Sequence, residues 1–122
     1  MDKMIHAGID LVKMDRINNI KKLEKIYTPA ELEYLKAHNY NTETKAGIYA
    51  AKEALLKSIR VALNIYSLLE IEILHDERNA PYLNFYGKLK EIVQKEDLSF
   101  SLSISHDGEY ATAIVICYQL LH

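Results

Sequence analysis

A single cysteine and no tryptophan occur among the 122 residues, and each scarcity narrows the reading. One thiol excludes an internal disulfide and fits a reducing compartment. Cys117, inside Ala113-Ile114-Val115-Ile116-Cys117, reads as a small buried hydrophobe. No apolar run approaches the ~20 residues of a membrane helix. The opening Met1-Asp2-Lys3-Met4-Ile5-His6 lacks the apolar core of an export signal. The expectation is a cytoplasmic protein with no membrane association. Excess charge is missing as well: the net value is −2, from 15 basic and 17 acidic residues, so nothing calls for nucleic acid. Nucleotide and acyl-transfer signatures are absent, with no G-x-G-x-x-G, no phosphate loop ending in G-K-S/T and no G-x-S-x-G.

What remains is an ordinary globular composition, 49% hydrophobic and 26% charged, which argues against disorder. The length fits one domain across residues 1–122, with no repeat or linker. Residues 5–12 read as a buried strand in which Gly8 permits close backbone approach. Residues 15–23 read as a helix, with Ile17, Ile20 and Leu23 at helical spacing. Thr28-Pro29-Ala30-Glu31 carries a capping threonine, a first-turn proline and a capping-box glutamate; the helix it opens reaches about His38.

Thr42 opens a long central helix ending near Asn64. Its alanines, Ala46, Ala50, Ala51 and Ala54, imply close packing on a neighbour. In the second half, residues 68–74 alternate Leu/Ile with Glu70 and Glu72, the pattern of a strand with one wet face. A turn, a short strand at 82–85 and a helix at 87–95 follow. Two strands, 98–105 and 110–118, form a hairpin around His106-Asp107-Gly108-Glu109. The fold class is α+β, an antiparallel sheet packed on a long central helix. Nine tyrosines suit surfaces that bury one end of a ring and wet the other, subunit contacts among them.

Three fragments carry chemistry. Gly8-Ile9-Asp10-Leu11-Val12 puts a carboxylate in an apolar strand, which demands a cation or donors if buried. Tyr49-Ala-Ala-Lys52-Glu53-Ala-Leu-Leu-Lys57 sets Glu53 and Lys57 one helical turn apart. On a surface they would form an ion pair, but the alanine-rich neighbourhood predicts a partly buried helix. Ser103-Ile104-Ser105-His106 ends a strand with a histidine placed to meet a phosphate or move a proton. Ser105 and His106 point to opposite strand faces and make a poor nucleophile–base pair. Two carboxylates plus water suit Mg²⁺, which commonly bridges to substrate phosphates. The five histidines lack zinc-site spacing. A basic stretch, Lys13, Arg16, Lys21, Lys22 and Lys25, suits an acidic partner or a solvated helix face.

In order and spacing these segments, with Ala80-Pro81-Tyr82-Leu83, resemble the holo-acyl-carrier-protein synthase family, the small single-domain 4'-phosphopantetheinyl transferases. The resemblance covers nearly the whole chain. It implies the 4'-phosphopantetheinyl transferase-like fold. It also implies transfer of 4'-phosphopantetheine from coenzyme A to a serine of apo acyl carrier protein, releasing adenosine 3',5'-bisphosphate. By the same resemblance Asp10 and Glu53 hold Mg²⁺, with Mn²⁺ as an alternative cation. Lys57 stands beside the transferring phosphate, and His106 meets the coenzyme A pyrophosphate. Tyr49, Lys52, Pro81 and Ser105 are ligand-side neighbours. Lys13, Arg16 and Lys21 lie on the surface that docks the acidic carrier protein. A homotrimer with sites between subunits is expected.

Three departures from the family pattern fall where the nucleotide end of coenzyme A is expected. They are Ile48 in place of arginine, Arg60-Val61-Ala62 in place of a Gly-Thr-Gly-like turn, and Asn79-Ala80-Pro81 in place of Gly-Lys-Pro. They motivate an alternative: a relative that binds coenzyme A or a carrier protein without transfer.

Overall fold

Gly8 and two helix caps determine how the layers meet. The computed structural model describes residues 5–59 and 66–119. Strand β1, Ile5–Lys13, runs into a short helix α1, Met14–Asn18. After a 3-10 turn at Leu23–Lys25, Thr28 caps helix α2, Pro29–Ala37, with the expected reciprocal bonds: the Glu31 amide donates to Thr28 Oγ1 (3.3 Å) and the Thr28 amide to Glu31 Oε1 (2.8 Å). Asn41 caps helix α3, Thr42–Ser58, by accepting from the Thr44 amide at 2.8 Å. The expected continuation of α3 to Asn64, including Arg60-Val61-Ala62, lies outside the described residues.

Strands β2, Ile71–His75, and β3, Pro81–Phe85, form an antiparallel hairpin. Its turn closes because Asp76 Oδ1 accepts from the Arg78 and Ala80 amides (2.8 and 2.9 Å) and Asn79 takes φ +62°. Helix α4, Gly87–Lys95, leads to strands β4, Leu98–Asp107, and β5, Tyr110–Gln119. These pair across a turn at Gly108, whose φ is +58°. The larger sheet is antiparallel in the order β1-β5-β4.

Helix α3 lies across one face of that sheet. A Cβ on Gly8 would sit 1.9 Å from the Ala54 carbonyl oxygen and 2.6 Å from the Ser58 nitrogen, so helix and strand backbones touch directly. Ala46, Ala50, Ala51 and Ala54 are fully buried along this seam. Val12, Ala111, Ala113, Val115 and Cys117 form the sheet side of the core. The α+β architecture with antiparallel strands against a long central helix is thus the one expected from sequence.

Four local expectations are corrected. β1 is not buried on both faces: it is an edge strand, with Ile5 72%, Ile9 62% and Leu11 62% exposed. The helix expected at 15–23 stops at Asn18. The strand expected from Leu68 begins at Ile71, because Ser67 and Glu70 build a capping box around a 3-10 turn at Leu68–Glu70. Glu72 faces inward rather than to water, accepting from Thr28 Oγ1 (2.6 Å), Tyr86 Oη (2.8 Å) and Asn84 Nδ2 (3.1 Å).

Candidate active site

The seam between α3 and β1 brings Lys57 onto the strand beneath it. On β1, alternation turns Gly8, Asp10 and Val12 toward α3 and Ile9 and Leu11 away from it. The Asp10 carbonyl accepts from Thr112 Oγ1 at 2.8 Å, anchoring this strand position to β5. Lys57 reaches down from the last turn of α3. Its Nζ donates to Asp10 Oδ1 and to the Ile9 carbonyl, each at 3.1 Å.

Glu53 lies one turn earlier and near enough to Asp10 for their charges to repel. Burial, then Asp10, pushes its carboxyl above the usual range, while a hydrogen bond from Tyr49 and the charges of Lys57 and Arg16 oppose the shift. Burial and the nearby Glu53 raise the Tyr49 phenol, which keeps its proton and donates to Glu53. Asp10, Glu53, Lys57, Tyr49 and Arg16 therefore form one cluster from three elements, β1, α1 and α3.

His106 is elsewhere. The sheet register puts Asp10, Ala113 and Ile104 in one row across three strands, and Val12, Ala111 and His106 in the next. Asp10 and His106 share the α3 face but stand two strand spacings apart, roughly 10 Å laterally. His106 Nε2 lies 3.4 Å from Glu43 Oε2 at the opposite end of α3, both half-exposed. It borders a cleft that also has Tyr34, Gly47, Ile48, His75 and Pro81 in its wall. Tyr34 stacks on His75 at 3.9 Å, and the His75 Nδ1 is buried with no hydrogen-bond partner among the described residues.

Of the expected ligand-side neighbours, Lys52 is corrected. Its side chain is wholly buried under α3, with Nζ 2.5 Å from Glu31 Oε1, 2.6 Å from the Ile26 carbonyl and 3.0 Å from the Leu68 carbonyl. Glu31 also accepts from the Ile73 amide at 2.7 Å. Burial pushes Lys52 down and Glu31 up, and the attraction between them opposes both shifts. This lysine ties α3 to α2 and β2 and cannot reach a ligand. Ser105 is exposed on the sheet face opposite His106, in the row of Leu11 and Thr112. Pro81 opens β3 at the cleft. Lys13, Arg16 and Lys21 are all exposed, Lys13 lying 4.0 Å from Glu109.

The sequence reading missed Glu43 as the partner of His106 and missed the Tyr34–His75 stack. No local pattern marks either; both arise from elements brought together by the fold. Of the three departures, Ile48 is buried against the cleft, and Asn79 takes the left-handed backbone that glycine adopts freely.

The Asp10–Glu53 pair supplies hard oxygen donors. Among the described residues no group of three or more His, Cys, Asp or Glu could hold a metal. A cation on this pair would complete its shell with water or ligand oxygens, the habit of Mg²⁺. The residues present fit such an ion.

The chain belongs to the 4'-phosphopantetheinyl transferase superfamily, whose model matches residues 6–115. Within it, the chain is 40% identical over 119 residues to the holo-acyl-carrier-protein synthase of Fusobacterium nucleatum, covering 93% of this chain and 98% of that protein. The Caldicellulosiruptor saccharolyticus holo-acyl-carrier-protein synthase is 36% identical, with 93% and 95% covered. The fold matches an ACPS–CoA complex from Chronobacterium ammoniagenes at TM-score 0.84, with 28% identity over 97% of this chain and 99% of that one. The Helicobacter pylori holo-acyl-carrier-protein synthase in complex with coenzyme A gives TM-score 0.78 and 33% identity, over 91% and 98%. The family resemblance drawn from the motifs therefore holds, and the chain is a member of an enzyme family of phosphopantetheinyl transferases.

Proposed function

We propose that this chain transfers 4'-phosphopantetheine from coenzyme A to a serine hydroxyl of apo acyl carrier protein, using a divalent cation on Asp10 and Glu53. One observation carries the reading: two carboxylates and a lysine converge from β1 and α3 around a seam with no intervening side chain. The coenzyme A-bound relatives support the choice of donor. The serine oxygen bonds to the β-phosphorus and sheds its proton as the bond to adenosine 3',5'-bisphosphate breaks. Such a reaction needs alignment and charge neutralisation more than a protein nucleophile.

A bound Mg²⁺ or Mn²⁺ would supply Lewis-acid polarisation of the phosphoryl oxygens. Lys57, on its flexible stem, neutralises charge building on the diphosphate. Tyr49 holds the Glu53 carboxylate by its hydroxyl. His106 and Pro81 meet the ligand from the cleft. Exposed Lys13, Arg16 and Lys21 dock the acidic partner.

The separation of His106 from Asp10 within one chain favours a site completed between copies. The sheet face away from α3 carries Ile5, Ile9, Leu11, Tyr110 and Ile114, all exposed and apolar enough for a subunit contact. A homotrimer of one-domain subunits meets both conditions. Among the described residues no helix is long and apolar enough to cross a membrane, which suits a cytoplasmic enzyme.

The test incubates the protein with apo carrier protein, coenzyme A and Mg²⁺, with and without chelator, and weighs the carrier by mass spectrometry. A mass gain of one phosphopantetheine that chelator removes is expected. No gain, with tight coenzyme A binding by calorimetry, favours the alternative of a binding relative; among the described residues the cleft around His106 has no lysine or arginine in its wall, which supports that second reading.

A further inference from the structure

We propose that Lys57 is a built-in stand-in for the cation, holding Asp10 until cation and diphosphate arrive, so that each ligand strengthens the other's binding. The proposal rests on the two-carboxylate reading above and adds to it a role for this chain's own lysine. Lys57 Nζ takes two oxygens from adjacent β1 residues, Asp10 Oδ1 and the Ile9 carbonyl, both at 3.1 Å. Glu53 stands close enough to repel Asp10, and the ammonium sits on the partner of that repulsion.

Exposure decides whether the ammonium can leave. The Asp10 side chain is only 15% exposed, whereas that of Lys57 is 44% exposed. The carboxylate is therefore enclosed while the lysine retains open solvent into which its four-carbon stem can swing. Lys57 must vacate Asp10 before a divalent cation takes the same oxygen, because two cations on one carboxylate repel. The vacating ammonium then lacks a counter-charge, and a diphosphate beside the cation provides one. Each ligand thus removes the contact that hinders the other. That is a positive coupling and by thermodynamic necessity a reciprocal one. Lys52, five positions earlier, cannot behave this way, being wholly buried with three acceptors.

The experiment measures Mn²⁺ binding to the full chain by paramagnetic resonance of free Mn²⁺, with and without coenzyme A. It compares wild type, Lys57→Met, Lys57→Arg and Asp10→Asn, each checked for an intact melting transition. Lys57→Met should bind Mn²⁺ alone roughly fivefold tighter than wild type. In that variant coenzyme A should improve Mn²⁺ affinity by a smaller factor than in wild type. Lys57→Arg, which keeps the charge, should not gain affinity for Mn²⁺ alone. If Lys57→Met does not fold, Lys57→Gln carries the same comparison. Folded Lys57→Met that binds Mn²⁺ no tighter than wild type overturns the proposal, and leaves the site reading standing if Asp10→Asn has lost binding. An Asp10→Asn variant that binds Mn²⁺ as wild type does sinks both.

Discussion

Two of the three lysines of helix α3, Lys52 and Lys57, are each paired with a carboxylate, and the two pairs differ in nearly every physical respect. Lys52 and Glu31 are sealed from water; all three ammonium protons have acceptors, and both carboxylate oxygens accept, with two backbone carbonyls on one side of the pair and two backbone amides on the other. Lys57 and Asp10 sit at the rim, beside a second carboxylate whose proton affinity is raised. A buried pair with full satisfaction holds elements together. A rim pair with excess negative charge is poised to exchange partners. The same residue types on one helix thus divide into scaffold and site by burial and satisfaction alone.

The sharpest way to break this division is to remove the acids. Asp10→Ala and Glu53→Ala should each lower the transfer rate at least about a thousandfold while the melting transition persists. Either variant turning over near the wild-type rate would dissolve the proposed cation site. Lys52→Met should do the reverse, costing about 3–5 kcal/mol of stability by stranding the buried Glu31. Denaturant unfolding measures it, and Glu31→Leu added to Lys52→Met should recover part of the loss. A Lys52→Met protein of normal stability that cannot transfer would move Lys52 from scaffold to site.

Smaller effects refine the picture. Lys21→Ala should raise KM for the carrier protein severalfold, an effect that fades in high salt as exposed charges are screened. Steady-state kinetics at two ionic strengths would decide it. The smallest change expected is a gain. Because the folded Glu53 binds its proton more tightly than an unfolded glutamate does, the native state loses stability as pH rises from the ordinary carboxylate range through the raised value. Glu53→Gln, neutral at every pH, should therefore melt slightly higher than wild type at pH 7 and show no such advantage at pH 4, even as transfer is lost. A lower melting temperature at pH 7 would show that Glu53 is a structural anion.

Much of this division was legible in the chain itself, and the rest fails for identifiable reasons. Thr28 and Glu31 announce a cap three residues apart, and the structure forms it. The pattern could not show that the capping oxygen Oε1 also accepts from Lys52 or that Oε2 accepts from the Ile73 amide, since those partners are 21 and 42 residues away. The family resemblance implies a ligand-side place for Lys52, but one step from Glu53 around a helix is about 100° and turns Lys52 into the interior, where it is wholly buried. The apolar run at residues 5–12 reads as a buried strand, yet alternation in the structure gives β1 two faces, and an apolar run says nothing about what covers each. Ile9 and Leu11, expected within a buried strand, are each 62% exposed among the described residues. Glu72 was assigned to water by the same logic and was claimed instead by Thr28, Asn84 and Tyr86.

Gly8 gives the acids their spacing by what it omits. With a would-be Cβ only 1.9 Å from the Ala54 carbonyl oxygen, the gap between Asp10 and Glu53 is gauged by main chain resting on main chain, much as a shim is defined by being left out. A single methyl at position 8 would lift the helix from the strand and spread both carboxylates apart. Catalysis would then be lost from a position that touches neither ion nor substrate.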